Sequence, residues 1–167
     1  MASGSLANIA LGPSAVGVIK SYRLFPLSPS TYCTAKVNSL GCTPAISFSG
    51  TPKAIPLAPF NITASSVINQ KTGLLFYSHQ PASIAFQGGF KCAASPIART
   101  PVQSSAGSAS GSDCSGNYSF DFNHWIVTSA DVSLSAGIEV FTQYWSRDPQ
   151  SASFTSLSNA IRFLVNP

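Results

Sequence analysis

The sequence predicts an all-β fold, an antiparallel β-sandwich or jelly roll with two disulfides, and three observations predict it. Short apolar runs of strand length recur along the chain, broken by Gly, Pro and Ser, with no convincing helical stretch. From Tyr118 to Trp125 the residues Tyr118, Phe120 and Phe122 alternate with Ser119, Asp121 and Asn123, the period of a strand with one buried face. Four cysteines, Cys33, Cys42, Cys92 and Cys114, lack the Cys-x-x-Cys or Cys/His knuckles that zinc requires, which points to disulfides and an oxidising compartment. The stretch Asp113 to Trp125 reads as a central strand tied at its start by a disulfide.

Taken in order, the chain begins with two apolar runs, Leu6 to Leu11 and Ala15 to Ile19, around Gly12-Pro13-Ser14. Gly and Pro punctuate where a helix needs continuity, so these runs read as strands. Residues 1–31 form an N-terminal extension with one or two strands, packed on or exchanged between domains, and residues 32–167 form a single β-sandwich domain. No basic residue precedes Leu6, and Pro13 interrupts the apolar stretch, so the start does not read as a signal peptide. It reads as a domain-boundary or engineered start from which a native export signal has been left off.

Between Cys33 and Cys42, Lys36, Asn38 and Ser39 are expected in solvent. Ala45 to Ser49 and Phe60 to Ala64 alternate as strands, while the prolines at 56 and 59 make Lys53 to Pro59 an extended or edge segment. Leu74-Leu75-Phe76-Tyr77 is continuous and suits a strand buried on both faces. Gly88-Gly89, between Ile84 to Gln87 and Phe90 to Cys92, suggests a bulge or a close backbone approach. Ser104 to Ser112 is low in complexity and cannot be ordered by its own apolar surface; it is placed at the tip of the loop from Cys92 to Cys114. Ile138 to Trp145 and Leu157 to Val165 supply the last strands.

Only 8% of the 167 residues are charged and 44% are hydrophobic, so neutral polar groups must make up most of the surface, as in secreted β proteins. The net charge of +4 comes from nine bases, no two of them adjacent, set against five acids. Nucleic-acid sites need clustered cations, so no nucleic-acid partner is expected. No run of about eighteen apolar residues is present, so no membrane insertion is expected. The cysteines allow three pairings; the local one, Cys33 with Cys42 and Cys92 with Cys114, is the simplest.

Catalytic motifs are weak. Gly107-Ser108-Ala109-Ser110-Gly111 has glycines at nucleophile-elbow spacing, but Ala109 stands where the serine is needed. His79 and His124 are the two candidate bases. Asp121 and His124, three apart on a strand, would point to opposite faces, with Asp121 solvated and His124 at the strand end. A glycosidase pair such as Asp121 with Glu139 would need neighbouring strands. No cofactor is expected; a structural calcium would draw on Asp121, Asn123 and Asp148. The best binding candidates are aromatic: Trp125, Tyr144 and Trp145 near strand ends, with Asn123 and Gln143 to hydrogen-bond sugar hydroxyls. Tyr144 and Trp145 must face opposite ways, so one of them is the better candidate for exposure.

The segment Tyr32-Cys33-Thr34-Ala35-Lys36-Val37-Asn38-Ser39-Leu40-Gly41-Cys42-Thr43-Pro44 resembles the C-terminal regions of large secreted proteins of planctomycete-type bacteria, which often carry FG-GAP or other β-propeller repeats upstream. The likeness continues through Gly73 to Tyr77, Phe86 to Gly89, Cys92, Arg99-Thr100-Pro101, Asp113 to Gly116, Gln143 to Pro149 and Leu157 to Ala160. The resemblance implies an exported accessory or terminal module with the two local cysteine pairs, and brings no catalytic residues.

These readings converge on a non-catalytic module, secreted or at the cell surface, that recognises a glycan or surface polymer. The alternatives are a self-associating, filament-like or surface-layer-like structural protein, forming a homo-oligomer through residues 6–19, and a hydrolase.

Overall fold

The structure is a computed structural model and describes residues 28–129 and 131–167. Alternation sets its layers. In β10 (Glu139–Arg147), Val140, Thr142 and Tyr144 face one way and Phe141, Gln143 and Trp145 the other. The strand is largely buried on both faces because both faces of the main sheet are covered, and it is paired along both edges because it lies in the middle of that sheet. There it pairs with β4 (Thr72–Ser78) on one side and β11 (Thr155–Leu164) on the other, with β1 (Ser30–Tyr32) beyond β11 and the short β7 (Ala98–Arg99) and β8 (Gln103–Ser104) beyond β4. All pairings within this sheet are antiparallel.

A second sheet carries β2 (Ala45–Ser49), β3 (Asn61–Val67) and β9 (Gly116–Asp121) in that order. Its register places Ile46 opposite Ala64 and Ala64 opposite Tyr118, and Phe48 opposite Ile62 and Ile62 opposite Phe120, so apolar rows run across one face. Those rows pack on Leu75, Tyr77, Val140, Tyr144, Ile161 and Phe163 of the main sheet to form the principal core. Tyr144 stacks on Tyr118 with ring centroids 5.4 Å apart, and its hydroxyl donates to the Ile62 carbonyl at 2.9 Å.

The opposite face of the main sheet is covered by a hairpin of β5 (Pro81–Phe86) and β6 (Gly89–Ala93), giving a smaller core of Phe76, Ala93, Phe141 and Leu157. A strand laid over a sheet leaves backbone groups that need partners. Gln143 supplies them: its Oε1 accepts from Cys92 N–H at 3.0 Å, and its Nε2 donates to the Phe90 and Ser158 carbonyls at 2.9 and 2.7 Å. The layering is sandwich-like, antiparallel and almost wholly β, with both disulfides present; the strand order does not establish the jelly-roll variant.

Several expectations are corrected. The disulfides join Cys33 to Cys92 and Cys42 to Cys114, across 59 and 72 residues of sequence, not the local pairs. The short loop needs no local bridge because Asn38 closes it: its Oδ1 accepts from the N–H groups of Leu40 and Cys42, both at 3.0 Å. Cys42 is thereby turned toward Cys114. Of the three residues expected in solvent, Asn38 is buried and Lys36 is half-buried, its ammonium held by four oxygens. Ser39 is exposed, yet it bonds Asp148 through both its N–H and its hydroxyl.

The expected central strand through Trp125 stops at Asp121 and lies at the edge of the smaller sheet. The Asp121 carboxylate, instead of facing solvent, caps α1 (Phe122–Thr128), accepting from the N–H groups of Asn123 and His124 and also from that of Phe60 at 3.1 Å. His124 therefore lies in the first turn of a helix, not at the end of a strand. Phe122, Trp125 and Ile126 then fall on one helical face and reach the principal core.

Gln87 and Gly88, with φ of 51° and 76°, make a two-residue hairpin turn. The close approach expected at the paired glycines is found at Gly89, where a Cβ would meet the Lys36 side chain at 2.9 Å. The serine-rich loop is held by polar contacts: Ser105 is buried and donates to the Ile68 carbonyl, and the Asn69 amide donates to the carbonyls of Ser108 and Gly111. The strands expected in Leu6 to Phe25, and the self-association through residues 6–19, lie outside the described residues.

Candidate functional site

Where the hairpin leaves the main sheet uncovered, a trough of about 310 Å³ opens. Its floor is Leu74, Phe76 and Trp145, one wall is Phe86, Gln87 and Lys91, and the other is Ile97 and Arg99. Strand register explains the set. Trp145 lies opposite Leu74, and Phe76 opposite Arg99, so these four share one face of the sheet. An irregularity in the β10–β11 register beside the site, where Ser158 Oγ accepts from Tyr144 N–H at 3.0 Å, adds local twist next to Trp145.

Trp145 is half-buried and fixed. Its indole N–H donates to Gln87 Oε1 at 3.1 Å, and the Arg147 guanidinium lies 5.6 Å from the ring centroid, a cation–π distance. The Gln87 amide oxygen also accepts from the Thr155 hydroxyl at 3.0 Å. The Gln87 carbonyl accepts from Ser153 Oγ at 2.7 Å and from the Lys36 ammonium at 2.9 Å. The hairpin turn is thereby nailed to the 151–155 turn, and the wall of the trough is set before any ligand arrives.

The residues singled out for binding do not assemble. Tyr144 is in the principal core. Trp125 packs on Phe120 at 5.9 Å, donates to the Tyr77 hydroxyl at 3.1 Å and belongs to that same core, on the other side of the main sheet from Trp145. Gln143 is buried under the hairpin. Asn123 is buried too: it donates to the carbonyls of Thr51 and Ala58 and accepts from Lys53 N–H, all at 2.9 Å. Of the five, Trp145 lines the trough, whereas Trp125, also half-buried, has its ring on Phe120. Sequence reasoning missed Phe86, Gln87, Lys91 and Arg99, which join it only through pairing and the hairpin's overlay; the paired glycines after Gln87 were the one local signal.

The calcium candidates are likewise dispersed. Asp121 and Asn123 satisfy backbone groups around α1, whereas Asp148 is buried and bonds Ser39. Among the described residues no group of three or more His, Cys, Asp or Glu is placed to hold a metal ion.

A second constellation surrounds His79. Its Nε2 lies 2.6 Å from Ser133 Oγ, Ser133 Oγ donates to Asp131 Oδ1, and the Tyr77 hydroxyl donates to Asp131 Oδ2 at 2.6 Å. These groups line a cavity of about 230 Å³. A serine nucleophile needs the histidine to accept its proton and a carboxylate to hold the far side of the ring. Here the carboxylate accepts from the serine, and the far ring nitrogen, Nδ1, faces the Glu139 carbonyl at 3.4 Å instead of a carboxylate, so the triad order is not reproduced. Burial alone would raise the Asp131 pKa, but the bonds from Ser133 and Tyr77, with His79 nearby, outweigh it and hold the carboxyl below its ordinary value. The arrangement fastens the loop at 131–134 to β4.

No helix among the described residues is long and apolar enough to cross a membrane. Compared with known proteins, the chain matches no family model, no curated protein and no solved structure.

Proposed function

We propose that this chain is a non-catalytic, exported β module that binds a glycan or surface polymer in the Trp145 trough. The observation that carries the reading is Trp145 itself: a fixed, half-exposed indole on the floor of a preformed apolar depression whose rim holds hydrogen-bonding side chains, the arrangement on which a sugar ring stacks its apolar face. Two long-range disulfides agree with maturation in an oxidising compartment.

The test is a glycan array with polysaccharide pull-downs on the full chain, its Trp145→Ala variant and a Leu57→Ala control, Leu57 being 98% exposed. Binding by the chain and by the control, with a loss of roughly tenfold or more for Trp145→Ala, supports the reading. No binding to any polymer, or binding indifferent to Trp145→Ala, overturns it.

A further inference from the structure

Resting on that reading, we infer that the trough selects an acidic saccharide, one carrying carboxylate or sulfate groups. The polar side chains around Trp145 are donors. Lys91 and Arg99 line the trough and Arg147 lies at the indole; lysine and arginine carry donors and no acceptor. The one side-chain carbonyl on the rim, Gln87 Oε1, already accepts from both Trp145 and Thr155, which leaves the Gln87 amide with its donor end. A neutral sugar presents hydroxyls that must donate as well as accept, and these side chains offer its protons no free acceptor. A carboxylate or sulfate presents acceptors alone and matches the set.

The acids of the chain are placed elsewhere. Asp148 bonds Ser39, Asp121 caps α1, Asp131 bonds Tyr77 and Ser133, Asp113 bonds Ser115, and Glu139 lines a separate cavity with Tyr32 and Arg162. The cations at the trough therefore act on a ligand without internal neutralisation, in a protein where charge is scarce. Arg99 stands two strand spacings, about 10 Å, across the sheet from β10. A sugar stacked on Trp145 can thus direct its own or its neighbour's anionic group to Arg99 and Lys91. The cations flank a single apolar depression rather than a continuous phosphate track, which favours a polysaccharide over nucleic acid.

The experiment compares polymers that differ in charge on one backbone: polygalacturonate against its methyl ester, and carrageenan against its desulfated form, with single-stranded DNA as a third arm. The expected result is at least about tenfold preference for the charged member of one pair, weakening with salt, and the two pairs tell carboxylate from sulfate. Lys91→Gln and Arg99→Gln should each reduce that binding roughly two- to fivefold and the double variant more, with Lys53→Gln unchanged and melting curves confirming the fold. Equal binding of charged and neutral polymers that still depends on Trp145 overturns the acidic assignment and leaves the glycan reading standing. A charge preference indifferent to Lys91→Gln and Arg99→Gln overturns the assignment to this trough. Tighter binding of DNA than of any saccharide overturns it as well, and no binding in any arm overturns the acidic assignment, while the glycan array alone decides the reading it rests on.

Discussion

The ammonium of Lys36 lies 2.9 Å from the carbonyl of Gln87, across 51 residues of sequence, and its three N–H groups are shared among that oxygen, Ser151 Oγ, Ser153 Oγ and the Thr155 carbonyl. One cation thus gathers the hairpin turn and the turn before β11. Trp145 depends on this indirectly, because Gln87 of that hairpin turn holds its indole N–H.

Removing that cation while keeping its apolar stem isolates the effect. Lys36→Met should lower stability by about 2 kcal/mol, since bonds to a charged donor are lost and partly buried oxygens go unsatisfied. It should also weaken any ligand of the trough, because the wall loosens. Denaturant titration beside a binding isotherm checks both, and an unchanged midpoint would show the four contacts to be incidental.

The disulfides close loops of 59 and 72 residues. The chain-entropy model gives each about 4 kcal/mol. Replacing both cysteines of either pair with alanine should lower the unfolding free energy from denaturant titration by a comparable amount; only loss of Cys33–Cys92 should also disturb the trough, because that bridge holds β6. Peptide mapping without reductant should recover fragments joining 33 to 92 and 42 to 114. Recovery of the local pairs would contradict the fold.

Alkali should unfold the protein together with tyrosine ionisation. Burial raises the hydroxyl pKa of Tyr32, Tyr77 and Tyr144, and pushes Tyr118 up to about 12. A group whose folded pKa is raised contributes stability fully present below its unfolded value of about 10, and lost as pH climbs through the folded one. Tyrosinate absorbance and melting temperature, followed together above about pH 10, should change in step. Full ionisation of all tyrosines well before unfolding would refute their burial.

Acid acts on Asp131 with the opposite sign. Its folded pKa is depressed, so its contribution is present above about pH 3.9 and is lost as pH falls through the folded value. The melting temperatures of the protein and of Asp131→Asn should therefore differ at about pH 6 and converge toward about pH 3. Ser133→Ala should loosen the same loop and leave ester hydrolysis at background in both proteins. A hydrolytic rate that vanishes with Ser133→Ala would show that His79 takes the serine's proton after all.

Local patterns were sound guides where one face was buried and the chain ran straight. Ala45 to Ser49, Leu74 to Tyr77, Ile138 to Trp145 and Leu157 to Val165 all lie in or overlap strands that follow their alternation or continuous apolarity. Asp121 to Ile126 shows where the pattern misled. Tyr118, Phe120 and Phe122 satisfy period two, while Phe122, Trp125 and Ile126 satisfy the helical spacing, so the two periods share Phe122. The capping bonds of Asp121 decide between them.

The sequence by itself determined the β class, the presence of cross-links and a surface poor in charge, because propensity, alternation and composition are properties of neighbouring residues. Only the tertiary structure decided which cysteines meet, which tryptophan lines the trough and which cations gather around it. Those outcomes depend on strand order and register, and a single residue's shift in register would send Trp145 to the opposite face of its sheet.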